Sequence, residues 1–138
     1  MLIDNLSKEQ IQGIMDALPV KFLFVDEDNR LQYWNRTDEP STEATSRNYL
    51  YDVLGKDVIG CHKKKEPLAK EILSDFKNGK KDYFGYWMLG REHKMMNRFF
   101  AIRDKSGKYL GALEYVLDFT EIEKIAEENK DALGIKNR

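Results

Sequence analysis

The stretch Lys21-Phe22-Leu23-Phe24-Val25-Asp26-Glu27-Asp28-Asn29-Arg30-Leu31-Gln32-Tyr33-Trp34-Asn35 sets the reading of the chain. Phe22 to Val25 is a short apolar run of strand-forming residues, and Asp26 to Arg30 is a polar turn. Leu31 to Asn35 then alternates apolar and polar, so the segment predicts a β-hairpin with a loop of several residues. Before it, Ser7-Lys8-Glu9-Gln10 has the form of a capping box. Ile11, Ile14, Met15 and Leu18 follow at helical spacing until Pro19 ends the pattern. That amphipathic helix carries a narrow apolar stripe, which needs either the body of the domain or a second subunit to cover it.

Downstream of the hairpin, residues 36–47 are polar and lack apolar periodicity, which predicts an exposed loop. Tyr49 to Leu54 reads as a helical turn, and Gly55 and Gly60 flank a compact turning stretch. Pro67 suits a first helical position, and Leu68, Ala69, Ile72, Leu73 and Phe76 form one stripe stopped at Gly79. Three strands are expected after it: Asp82 to Leu89, Lys94 to Arg103 and Tyr109 to Leu117. Alternation in the last puts Tyr109, Leu113, Tyr115 and Leu117 on one face, and Glu114 on the opposite, solvent-facing side. Thr120-Glu121-Ile122-Glu123 has the form of a second capping box and opens a charged helix that Gly134 would end. The order predicts an α+β fold: five antiparallel strands, with the helical segment between strands two and three covering one face.

The 138 residues suit one domain, with 41% hydrophobic and 12% aromatic residues to fill its core. Charged residues make up 34% of the chain but nearly cancel, leaving a net charge of −1. No global field therefore favours nucleic acid or an acidic membrane. Cys61 is the single cysteine, so no internal disulfide forms. Neither a signal peptide nor an apolar run of about 20 residues is present, and a cytoplasmic location is expected. Phosphate-loop, nucleophile-elbow, zincin and kinase signatures are all missing, so the expectation is a module without catalysis.

Several stretches in this order resemble a PAS domain. Val25 to Asn35 resembles the opening PAS hairpin, and Gly55-Lys56-Asp57-Val58-Ile59-Gly60 the stretch before the central helix. Phe100 to Gly111 resembles the final hairpin. Asp118-Phe119-Thr120-Glu121 resembles the closing Asp-Ile-Thr-Glu pattern, with Phe119 in place of isoleucine. More narrowly, Gly60-Cys61-His62 and Asp75 to Asp82 resemble PAS domains attached to bacterial hemerythrin-like regulatory proteins, although two histidines cannot supply a hemerythrin di-iron site. The resemblance divides the chain into an N-terminal helix (1–19), a PAS domain (20–121) and a C-terminal signalling helix (122–138). It implies a sensory domain that binds a small apolar ligand or cofactor and relays its state through the terminal helices. The alternative is a ligand-free interaction module that forms a homodimer.

Candidate site residues follow from both readings. His62 lies near where some PAS domains place a haem ligand, yet it precedes the regular helix and equally suits a turn-capping role. Cys61 lacks the asparagine, arginine and glutamine neighbours of the flavin-binding cysteine motif, which argues against flavin. Cys61, His62 and His93 do not have the paired short spacing of a zinc site. An apolar pocket with a few polar tips is expected to be lined by Trp34, His62, Tyr86, Met88, Phe99 and Tyr115.

Overall fold

The computed structural model describes residues 1–36, 49–58, 66–90 and 92–131. A 3₁₀ turn at Leu2–Asn5 leads into α1, Lys8–Ala17. The capping box forms as the sequence predicts: the Gln10 N–H donates to Ser7 Oγ at 3.0 Å, and the Ser7 N–H donates to Gln10 Oε1 at 2.9 Å. Strands β1 (Lys21–Asp26) and β2 (Leu31–Trp34) make the hairpin. The short α2 (Tyr49–Val53) and the longer α3 (Glu66–Lys77) follow. Three strands close the sheet, β3 (Tyr83–Leu89), β4 (Lys94–Arg103) and β5 (Tyr109–Asp118), before α4, Thr120–Glu128. The five-stranded antiparallel sheet runs β2-β1-β5-β4-β3, so the last strand lies at its centre.

The hairpin turn is built on Asp26, whose Oδ1 accepts from the N–H groups of Asp28 and Arg30 while Oδ2 accepts from the Gln32 amide. Asn29 occupies the left-handed region that the turn requires, at φ 61°. α3 ends in a Schellman motif: Lys80 N–H donates to Asp75 O, Gly79 N–H donates to Phe76 O, and Gly79 sits at φ +73°. Its apolar stripe, Ile72, Leu73 and Phe76, packs on Val25, Leu31, Trp34 and Ala112 to form the core. Phe76 and Leu31 are fully buried, which stabilises the fold by about 1.5–3 kcal/mol for each side chain.

Asn35, just after β2, is fully buried among polar contacts. Its Oδ1 accepts from the Phe22 N–H at 2.8 Å, and its Nδ2 lies 2.9 Å from both Met15 O and Val20 O. Asp16 Oδ1 accepts from the Arg36 N–H and from Gln12. These bonds fix the C-terminal end of α1 to the base of the hairpin.

Two local readings are corrected. Thr120 is the first residue of α4 rather than its cap: Asp118 Oδ1 accepts from the Thr120 N–H and hydroxyl at 3.1 and 2.7 Å. An irregularity in the β4–β5 pairing between Ile102 and Arg103 also switches Tyr109 to the α3 side. There Tyr109 packs against the core and stacks 5.5 Å beneath the Arg103 guanidinium, apart from Leu113, Tyr115 and Leu117. The expected end of the last helix at Gly134 lies outside the described residues.

Candidate functional site

The pairing register sorts every sheet residue between two faces. Val25 and Ala112 lie under α3, so their register partners define an inner face. Leu23 sits opposite Glu114, and Glu114 opposite Phe99; Phe99 in turn sits opposite Phe84. One step along, Val116 faces Asn97 and Asn97 faces Tyr86, while Met95 faces Met88. The remaining set, including Phe22, Phe24, Leu113, Tyr115, Met96, Arg98, Phe100, Tyr83 and Trp87, turns outward.

On the inner face, Tyr86 and Phe99 stack with ring centroids 6.3 Å apart and planes 25° from parallel. Phe84 is tilted against both, at 6.2 and 6.1 Å. Asn97 lies among them and is only 3% exposed. Its Nδ2 donates to Tyr86 Oη at 2.8 Å, and its Oδ1 is buried without a hydrogen-bond partner. Glu114, diagonal to Asn97 on the neighbouring strand, brings a half-buried carboxylate to the same face. The arrangement is an aromatic surface with a buried amide at its centre, suited to holding a flat molecule by stacking and hydrogen bonding. Beside it, between α3 and β3, a cleft of about 130 Å³ is lined by Leu68, Glu71, Ile72, Asp75, Phe76, Lys81 and Phe84. Its volume falls short of the ~300 Å³ of ordinary ligand pockets.

The sequence-predicted residues divide four ways. Tyr86 and Phe99 stack across adjacent strands of the inner face, and Met88 shares that face one step further along β3, beside Met95. Trp34 shares that face but stands on β2, three strands from Phe99 and so about 14 Å away by strand spacing. It is buried in the core, with Tyr51 edge-on at 4.9 Å. Tyr115 is on the outer face, stacked 5.9 Å from Phe100 and accepting from Arg98 Nη1 at 3.3 Å. His62 and Cys61 lie outside the described residues, and the haem reading lies there with them. Glu114, expected to face solvent, is on the inner face because it is in register with Leu23 and Phe99. Asn97 was missed, although it is the one amide inside the otherwise apolar and basic run Met95-Met96-Asn97-Arg98-Phe99-Phe100.

At the end of β5 the strand passes directly into α4 through a polar joint. Thr120 Oγ1 accepts from the Lys94 N–H at 2.8 Å, the Phe119 N–H donates to Lys94 O, and Trp87 meets the Phe119 ring edge-on at 5.4 Å. His93 Nδ1 lies 3.0 Å from Asp118 Oδ2, with both side chains largely exposed. Partial burial works to raise the Asp118 pKa, but the hydrogen bonds from Thr120 and His93 outweigh it and hold the carboxyl below its ordinary value. Burial pushes the Tyr109 hydroxyl up. Among the described residues no group of three or more His, Cys, Asp or Glu side chains is placed to hold a metal ion, and no helix is long and apolar enough to cross a membrane.

Comparison with known proteins agrees with this architecture. A family model described as "PAS domain" matches residues 11–120. A C-terminal domain from Streptococcus mutans superposes with a TM-score of 0.73 at 27% identity, over 87% of this chain and 90% of that one. The PAS domain of BvgS from Bordetella pertussis gives 0.56 at 17% identity, covering 91% and 97% of the two chains. A sensory box sensor histidine kinase from Vibrio cholerae gives 0.54 at 11% identity, covering 86% and 97%. No curated protein matches.

Proposed function

The chain belongs to the PAS domain family, whose members serve as sensory modules, and on that premise we propose that it binds a small, largely apolar ligand on the inner face and relays occupancy through α1 and α4. One observation carries this reading: central strand β5 holds Ala112, Glu114 and Val116 on the inner face and ends in the Asp118–Thr120 joint that starts α4. A ligand that prefers one twist of β5 thereby prefers one setting of α4. α1 is tied in similarly, because Asn35, which fixes its end, directly follows core residue Trp34. The relay needs no new contact, only a difference in ligand affinity between two settings of these joints.

The test is native mass spectrometry of freshly purified chain, followed by hydrogen exchange on whatever complex is found. A bound small molecule should raise the melting temperature and change amide protection in residues 8–17 and 120–128. At ligand concentrations 100-fold above Kd the stabilisation is about 2.7 kcal/mol. Binding that leaves both helices unchanged would overturn the relay. Absence of any bound or bindable small molecule would overturn the sensor.

A second reading, self-association, is favoured by the outer face. Tyr83, Trp87 and Leu89 on β3 remain exposed, Trp87 at 61% and Leu89 at 69%. They share that face with Met96, Phe100, Leu113 and Leu117, which flank the Arg98–Tyr115 pair. Exposed large apolar side chains grouped in this way mark interaction sites. The two readings are compatible, since they use opposite faces of the sheet.

A further inference from the structure

The chemistry of the ligand follows from the amide of Asn97. Buried polar groups in native interiors are almost always paired, because an unmade hydrogen bond forfeits the one the group had with water. Asn97 is 3% exposed, its Nδ2 is used on Tyr86 Oη, and its Oδ1 has no partner. The other buried unpaired side-chain atoms among the described residues are Tyr33 Oη, Arg98 Nε and Tyr109 Oη. Arg98 and Tyr33 belong to the outer face, and Tyr109 sits beside Arg103 away from the aromatic trio. Among the described residues, Asn97 Oδ1 is therefore the unmet acceptor that lies beside Tyr86 and Phe99. Its surroundings are Tyr86, Phe99 and Phe84, whose ring faces suit a flat π-system. An unmet acceptor favours a ligand that donates, and disfavours one that presents only lone pairs.

We propose that the inner-face site is specific for planar aromatic ligands bearing an N–H donor, which bond Asn97 Oδ1 while stacking on Tyr86 and Phe99. The proposal rests on the ligand-binding reading above and goes further by fixing the polarity of the ligand's edge. Asn97 acts as a specificity residue: it discriminates between ligands of one shape by whether they satisfy its oxygen.

The experiment compares three bicyclic probes of nearly equal shape on the full chain by ligand-observed NMR titration. Indole carries an N–H donor, benzofuran replaces it with an ether oxygen, and quinoline presents only a ring-nitrogen lone pair. The wild type should bind indole at least about tenfold more tightly than either other probe, the loss expected for one unmatched buried hydrogen bond. Asn97→Leu, nearly isosteric, should bring indole down to the benzofuran level and leave benzofuran unchanged. Asn97→Asp, which keeps an acceptor, should retain the preference for indole and supplies the same comparison if the leucine variant does not fold. Equal affinity for all three probes, a preference for quinoline, or a preference for indole that survives Asn97→Leu would overturn the inference and leave the ligand-binding reading standing. Failure of all three probes and of a wider aromatic fragment panel to bind would overturn both.

Discussion

Replacing Asn35 with leucine should detach α1 from the sheet and destabilise the whole domain. The side chain is fully buried and serves three backbone groups: the Phe22 N–H, Met15 O and Val20 O. Leucine fills the same volume but takes a partner from all three, leaving Met15 O only its bond from the Leu18 N–H. Each stranded buried group costs about 1–3 kcal/mol, with carbonyls at the low end because a second lone pair can find other company. The three are neighbours and will not add fully, so the loss should be about 3–5 kcal/mol. With an unfolding entropy near 2.1 cal/mol/K per residue, this lowers Tm by roughly 10–17 °C.

Asn35→Asp is the sharper variant. It keeps the acceptor for Phe22 but aims a carboxylate at two carbonyl oxygens. It should be at least as destabilised at neutral pH and should partly recover as acid protonates the buried carboxyl and restores a donor. Urea unfolding of both variants, with hydrogen exchange read separately over residues 8–17 and β3–β5, measures the effect. A Leu variant within 1 kcal/mol of wild type, or with α1 protection undiminished, would refute the role assigned to Asn35.

Three further outcomes follow from other parts of the fold. Gly111→Ala should cost more than about 3 kcal/mol, because a Cβ there lies 2.2 Å from Val25 O and the residue sits at φ +145°; Gly13→Ala, with open space around it in α1, should instead stabilise by about 0.5–1 kcal/mol, both read from urea midpoints. In Asp26, burial raises the pKa but hydrogen bonds from Arg30, Gln32 and Asp28 outweigh it, so both Asp26 and Asp118 titrate below the ordinary 3.8. Their stabilising contribution is full above that value and disappears as pH falls through the lower folded pKa; Asp26→Asn and Asp118→Asn should be weaker than wild type at pH 6 and lose less stability between pH 4 and 2. Trp87→Glu should weaken any dimer at least about tenfold in sedimentation equilibrium, with Tm of the monomer nearly unchanged because the ring is mostly exposed; a dimer that tolerates the change does not use the outer face.

Much of the fold was legible because local signals pointed one way. The Ser7–Gln10 box, the Asp26–Arg30 turn and Gly79 each fix a boundary by chemistry within a few residues, and each forms as read. Thr120 misled because a Thr-x-x-Glu spacing is equally satisfied one residue inside the helix when Asp118 supplies the oxygen acceptor for its N–H. Tyr109 misled for a non-local reason: the irregularity that reverses its face lies in the pairing with β4, and strand alternation carries no record of it.

The inner site was only half legible, and β5 shows why. Its two alternating sets are Leu113, Tyr115 and Leu117 against Ala112, Glu114 and Val116. Hydrophobic alternation assigns the larger apolar set to the core, which sends Tyr115 inward and Glu114 to solvent. The sheet does the reverse: Ala112, 3% exposed, belongs to the core cluster with Ile72 and Phe76 of α3, which puts its face of β5 under the helix. The rule that the more apolar face is the buried one presumes a single covered face. Here both faces carry apolar side chains, so pattern alone could not choose between them. The residue that does distinguish them is Asn97, an amide only 3% exposed within an apolar strand, and the pairing register places it on the face of Tyr86 and Phe99.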